Sequence, residues 1–228
     1  MITRTIRTHA LLRLIGLCIA LMTICSVSLA EQLDSRWKWY YSTSTDSYYL
    51  DTQTIEYDTT DQIATVWTID LNAEGQRHYG LKQKISYINK KIITVQDVFY
   101  RVNKAYTHTT KSLWTHVSPD SEEEALANSV ASILHINPIY QGGSARWKWL
   151  HSTDTYGLYV ANDTLVYDSY FPAYSIWAKK VFLDGRSFKI LYYMDLPTKL
   201  VWGNGPIAPP YPESDEEYIY NDVKNMLE

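Results

Sequence analysis

Polar and apolar residues alternate with period two along much of the chain. In residues 36–42, Trp37, Trp39 and Tyr41 fall on one side, and Arg36, Lys38 and Tyr40 on the other. Alternation in β-forming residues predicts a strand. Residues 48–51 and 54–57 are short β-rich pieces. Residues 63–71 put Ile63, Thr65, Trp67, Ile69 and Leu71 on one face, and 81–88 do the same with Leu81, Ile85 and Tyr87. Asn89-Lys90-Lys91 reads as a turn. Residues 92–102 and 105–114 read as long strands joined near Asn103-Lys104. Short turns between neighbouring strands predict an antiparallel meander.

The period then changes. Ser121 and Glu124 have capping-box spacing after Pro119, and Leu126, Val130, Ile133 and Leu134 follow as one helical stripe. Ser214, Glu217 and an apolar stripe from Ile219 to Leu227 repeat the pattern. Acids in each first turn suit the positive end of the helix dipole. The helix is expected to lay its stripe on the apolar face of its sheet.

The chain repeats itself. Arg36-Trp37-Lys38-Trp39 recurs as Arg146-Trp147-Lys148-Trp149, 110 positions later, with 12 identities over the 32 positions 36–67. Among them are Tyr49 with Tyr159, Thr54 with Thr164, Asp58 with Asp168 and Trp67 with Trp177. Chance at average composition gives about 2 or 3. The endings match at an offset of 93, Pro119 to Glu124 against Pro212 to Glu217. The second copy is therefore 17 residues shorter between Gly185 and Pro212, about one hairpin. Between the copies, Asn137-Pro138 and Gly142-Gly143-Ser144 are breaker and linker signals. The expected organisation is a leader at 1–30, a repeat domain at 31–135, a linker at 136–145 and a shorter repeat domain at 146–228. The expected class is α+β, two tandem antiparallel meanders each packed by one C-terminal helix.

The leader has three parts. Arg4, Arg7 and Arg13 form a basic start, residues 14–24 an apolar run, and Ser28 and Ala30 place small residues before a cut. That is the layout of a secretory signal peptide. The apolar stretch is shorter than the roughly 20 residues of a spanning helix. Cys18 and Cys25, the two cysteines of the chain, leave with it. The exported product then has no disulfide, no thiol nucleophile and no cysteine metal site. The net charge moves from −4 to −7, because three arginines and no acids are lost. Hydrophobic content of 46% argues against a disordered chain. The expected location is exported: periplasm, cell surface or secreted, with no integral span after cleavage.

The order W-K-W, Y-Y-L-D, I-E-Y-D, V-W, a meander, then P-x-S-x-E-E and a short amphipathic helix resembles the surface-adhesin protein E-like family, here in tandem duplication. The resemblance covers most of the first copy and both ends of the second. It implies a small α+β domain of the bacterial envelope that binds host extracellular proteins in some members. Cysteines common in that family are missing from the exported part of this chain.

Catalytic motifs are missing too. No His-Glu-x-x-His, Gly-x-Ser-x-Gly or phosphate loop occurs. No catalytic, cofactor or metal residue is assigned and no cofactor is expected. His108 and His116 are the closest approach to a metal pair. Trp37, Trp39 and Trp67 recur at matched positions and are expected in the core. One charged feature stands out. Residues 76–114 carry eight basic residues against Asp97 alone, and six of them, Lys82, Lys84, Lys90, Lys91, Arg101 and Lys104, form a candidate patch. It reads either as a solvated sheet face whose lysines prevent edge pairing or as a surface for an anionic partner. The expected partners are a host extracellular protein, an anionic glycan or an envelope component, and not nucleic acid. Two functions stand. One is a noncatalytic, adhesin-like binding module of the bacterial envelope. The other is an exported enzyme or enzyme inhibitor with an unrecognised site.

Overall fold

The computed structural model describes residues 33–101, 104–110, 112–143, 145–169 and 171–228. The expected leader at 1–30 lies outside them. Among the described residues fourteen strands form two antiparallel sheets. The first holds β1 (Trp37–Ser42), β2 (Asp46–Asp51), β3 (Glu56–Asp58), β4 (Ile63–Asn72), β5 (Arg77–Ser86), β6 (Lys91–Arg101), β7 (Lys104–Thr109) and β8 (Thr115–His116). Its order is β1-β2-β4-β5-β6-β7, with β3 on β4 and β8 on β6. Helix α1 (Glu122–Leu134) follows. The second holds β9 (Trp147–Ser152), β10 (Tyr156–Ala161), β11 (Val166–Asp168), β12 (Ala173–Phe182), β13 (Ser187–Asp195) and β14 (Leu200–Trp202), ordered β14-β13-β12-β10-β9 with β11 on β12. Helix α2 (Asp215–Leu227) closes it.

The α+β class is corrected by this content. Two helices of 13 residues accompany two sheets of eight and six strands, so the fold is essentially β-rich. Each helix covers part of one sheet face. Leu126, Ala127 and Val130 pack on Leu50, Val66, Ile85 and Ile92, and Ile219 and Val223 pack on Leu158, Ile176 and Met194.

The helix starts explain themselves locally. The Ser121 hydroxyl accepts the Glu124 amide (3.3 Å), and the Glu124 carboxylate reaches back to the Asp120 amide (2.6 Å). Ser214, Glu217 and Glu213 repeat both bonds at 3.2 Å and 2.6 Å. Asp120 and Glu213 both adopt left-handed backbone, φ 55° and 60°. Elsewhere too the copies coincide. Trp37 pairs Asp51 as Trp147 pairs Ala161, and a bulge follows in each strand at Tyr40 and Leu150. The Trp67 and Trp177 amides donate to the Thr54 and Thr164 hydroxyls.

The 17-residue difference divides in two. Opposite Ile69 and Leu71 the first sheet carries a bulge that the second lacks, so the offset becomes 109 from Gly80 and Lys189 onward. The remaining sixteen residues are the far half of β6 with β7. In the first sheet Ile92 pairs Thr115, whereas in the second Val201 pairs Ala208 directly.

One further expectation is corrected. The tryptophans do not fill the core. Trp39 and Trp149 are 55% and 56% exposed, and Trp37 and Trp67 are half-buried on the face away from the helix. Period two shows that a strand has two faces, not which is covered. Tyr40, on the opposite face as alternation places it, is in the core at 6% exposure, and the bulge brings Tyr41 across from Tyr48 onto that same face. Two residues of the stretch 136–145 also join a core. Ile139 and Tyr140 are buried in the first core, and the Tyr140 hydroxyl donates to the Val117 carbonyl at 2.6 Å.

The face of the second sheet that carries Trp147 lies against the start of α1. Arg146 donates from Nη1 to Asp120 (2.8 Å) and Glu124 (2.8 Å), from Nη2 to Glu124 (2.5 Å) and from Nε to Asp163 (3.1 Å). Its side chain is 4% exposed. The Trp147 indole donates to Asp120 at 2.8 Å, and the Lys189 ammonium to the Pro119 carbonyl.

Candidate binding surface

The basic patch is the feature that sequence singled out, and the fold takes it apart. Lys90 and Lys91 lie in the contact between the two sheets. The Lys90 ammonium donates to the Asp163 carbonyl (2.8 Å) and the Leu165 carbonyl (3.4 Å). Burial pulls its pKa below the usual lysine value, and Asp163 opposes that in part. Lys91 Nζ sits 2.6 Å from the Asp168 carboxylate. Both cations are already partnered within the chain. Lys82 and Lys84 lie on the tryptophan face, opposite Trp67 and Thr65 on β4. Arg101 and Lys104 stand at the far end of the β6–β7 hairpin, directly across from each other. The six residues therefore do not form one patch.

The hairpin tip gathers other groups. Side chains alternate along a strand, so Asp97, Phe99 and Arg101 share a face with Lys104, Tyr106 and His108 on β7. Tyr79 pairs Phe99 from β5, with ring centroids 5.1 Å apart. His78 lies 4.3 Å from Tyr79 and 5.7 Å from Phe99 by the same measure. The result is an aromatic row, Tyr79, Phe99 and Tyr106, across three strands. It belongs to the sheet face that α1 covers further down, over Val66 and Ile85. Here Tyr79 and Tyr106 are exposed. Two acids border the row: His108 Nδ1 lies 3.5 Å from Asp97, and Asp70 accepts the Tyr79 amide with His78 Nδ1 at 3.8 Å. Among the described residues neither Arg101 nor Lys104 meets a carboxylate. The row was missed in the sequence because Tyr79 and Tyr106 lie far apart there. Its trace was the 17-residue excess of the first copy.

His108 and His116 do not meet. His116 is buried against Asp168 (3.7 Å) and Lys91, and burial first, then the Lys91 charge, lowers its pKa to about 4. A cleft of about 570 Å³ opens beside the Lys91–Asp168 pair, with Leu113, Trp114 and Phe171 at its apolar rim. A further titratable cluster lies at the start of α2. Asp215 accepts from the Tyr156 hydroxyl (2.9 Å), lies 2.8 Å from His151 Nε2 and pairs Lys180. Burial alone would raise its pKa, but these partners hold it below the usual carboxylate value. The cluster ties the first turn of α2 to β9, β10 and β12.

Among the described residues no helix is long and apolar enough to cross a membrane. Compared with protein-family models, curated proteins and solved structures, the chain matches none.

Proposed function

We propose that the chain is an exported bacterial envelope protein that acts as a noncatalytic, adhesin-like binding module. Its contact surface is the β6–β7 hairpin with β5, and its partner is an anionic glycan. Tyr79, Phe99 and Tyr106 offer flat rings to sugar faces. Arg101 and Lys104 offer charge to sulfate or carboxylate groups.

The carrying observation is the cross-strand pair of Arg101 with Lys104. Like charges placed opposite each other destabilise a hairpin. The second copy closes its sheet without any such hairpin, so the fold does not require it. A bound anion would turn the repulsion into attraction.

Heparin is the probe. The native chain should be retained on it and released as salt rises, since exposed charges are screened over about 8 Å at physiological ionic strength. Arg101→Glu with Lys104→Glu should weaken binding about tenfold or more, as a loss of about 1.4 kcal/mol would. Equal binding by the variant, or none by the native chain, would sink the proposal. Binding to an extracellular matrix protein but not to glycan would move the partner to protein.

A further inference from the structure

The contact between the two copies is head to tail. The start of α1 meets the Arg146 and Trp147 face of the second sheet. Each partner in that contact has a counterpart in the other copy, and the counterparts are left over. On one end stand Pro212, Glu213 and Glu217 at the start of α2, with the same cap bonds and the same left-handed residue as Pro119, Asp120 and Glu124. On the other stand Arg36 and Trp37, in the register of Arg146 and Trp147.

We infer that a second copy of this chain docks its Arg36 and Trp37 face onto the start of α2. The relation that carries the first copy onto the second would, applied once more, place that molecule there. Arg36 then takes the place of Arg146 between Glu217 and Glu213, and the Trp37 indole donates to Glu213.

The charges on the two ends agree with this. Among the described residues Glu213 and Glu217 pair no cation, and Glu213 is exposed. Arg36 differs from its counterpart in the same sense. Its side chain is 39% exposed against 4% for Arg146, and its Nε makes no hydrogen bond, only the longer ion pairs with Asp51 (3.5 Å) and Asp34 (3.7 Å). A cation stands over each tryptophan as well. Lys179 lies 4.2 Å from the Trp147 ring, and Arg77 lies 5.8 Å from the Trp37 ring. Lys90, with φ 52°, crosses to the carbonyls of Asp163 and Leu165, and its counterpart Lys199, with φ 56°, is exposed. In the assembly Lys199 reaches the carbonyls of Gln53 and Ile55.

The intermolecular contact is the weaker one. Leu200 stands where Lys91 pairs Asp168, Gly80 stands where Lys189 meets Pro119, and no tether raises the effective concentration. An interface between two different surfaces does not use itself up in a dimer, so copies add in a row unless the rotation closes a ring.

Sedimentation of the matured chain across a concentration series tests this. The native chain should self-associate reversibly, less at high salt. Arg36→Ala and Glu217→Ala should each raise the dissociation constant at least tenfold. Mixed one to one, they should form a heterodimer that grows no further, since each supplies the end the other lacks. A native chain that stays monomeric up to millimolar concentration would overturn the inference. So would association that survives both substitutions, or a mixture that behaves as its parts.

Discussion

Removing the Arg146 side chain tests the contact between the copies. Arg146→Met keeps the length and apolar stem but leaves Glu124 in place with its carboxylate 7% exposed. Asp120 and Asp163 lose the same guanidinium. Taking one partner from a buried ion pair typically costs about 3–5 kcal/mol, because the remaining charge is stranded. The counterpart Arg36→Met provides the scale. Arg36 lies 3.5 Å from Asp51 and 3.7 Å from Asp34 and is 39% exposed. Its loss also strands a buried carboxylate, Asp51, but that group keeps the Gln53 amide and loses one long contact rather than two short bonds, so the cost should be smaller, about 1–2 kcal/mol. The two substitutions are chemically identical and repeat-related, so their difference reports the burial of the guanidinium and the number of bonds it makes. Urea denaturation of residues 31–228, followed by tryptophan fluorescence, reads both free energies. In a parallel thermal melt Arg146→Met should lower the melting temperature by about 10 °C, since 1 kcal/mol moves a chain of this size by about 2–4 °C. A loss below about 1 kcal/mol for Arg146→Met, or equal losses for both, would refute the reasoning.

Other outcomes follow from single residues. His116 has a folded pKa of about 4 against an ordinary 6.5, so the unfolded chain binds the extra proton between those values. Stability should be unaffected by His116 above pH 6.5 and should fall as pH drops to 4, by up to about 3 kcal/mol. His116→Gln should flatten that part of a melting-temperature profile, and an unchanged slope would contradict the assignment. Leu126→Ala and Ile219→Ala each empty a fully buried site and should cost about 2–5 kcal/mol in chemical denaturation. Ser214→Ala should cost about 1 kcal/mol by the same assay, because the Glu217 amide loses its cap.

The signals that could be read from sequence were local or repeated. The capping boxes at Ser121 and Ser214 depend on four neighbouring residues, and both form. The 110 offset reappears as shared register, shared bulges and shared hydroxyl bonds. What could not be read depended on which face met what. Trp37 and Trp39 alternate properly, yet the helix covers the opposite face, where Tyr40 is buried and a bulge brings Tyr41 round to Tyr48. Lys90 and Lys91 look like a solvated turn, but their partners at Asp163, Leu165 and Asp168 lie in the other copy. Ile139 and Tyr140, between the Asn-Pro and Gly-Gly breakers, are apolar residues with a core within reach. The aromatic row needed the pairing of three strands before its members became neighbours.

The second copy provides the most direct test of the proposed binding surface, because it shows how this sheet closes without the hairpin. Residues 93–114 can be replaced by residues 202–207, joining Ile92 to Thr115 as Val201 is joined to Ala208. Heparin affinity of this chain is measured beside the native one, with circular dichroism and thermal melting to show that both are folded. The account predicts a folded protein that no longer binds at a salt concentration where the native chain does. A folded graft that binds as tightly as the native chain would contradict it.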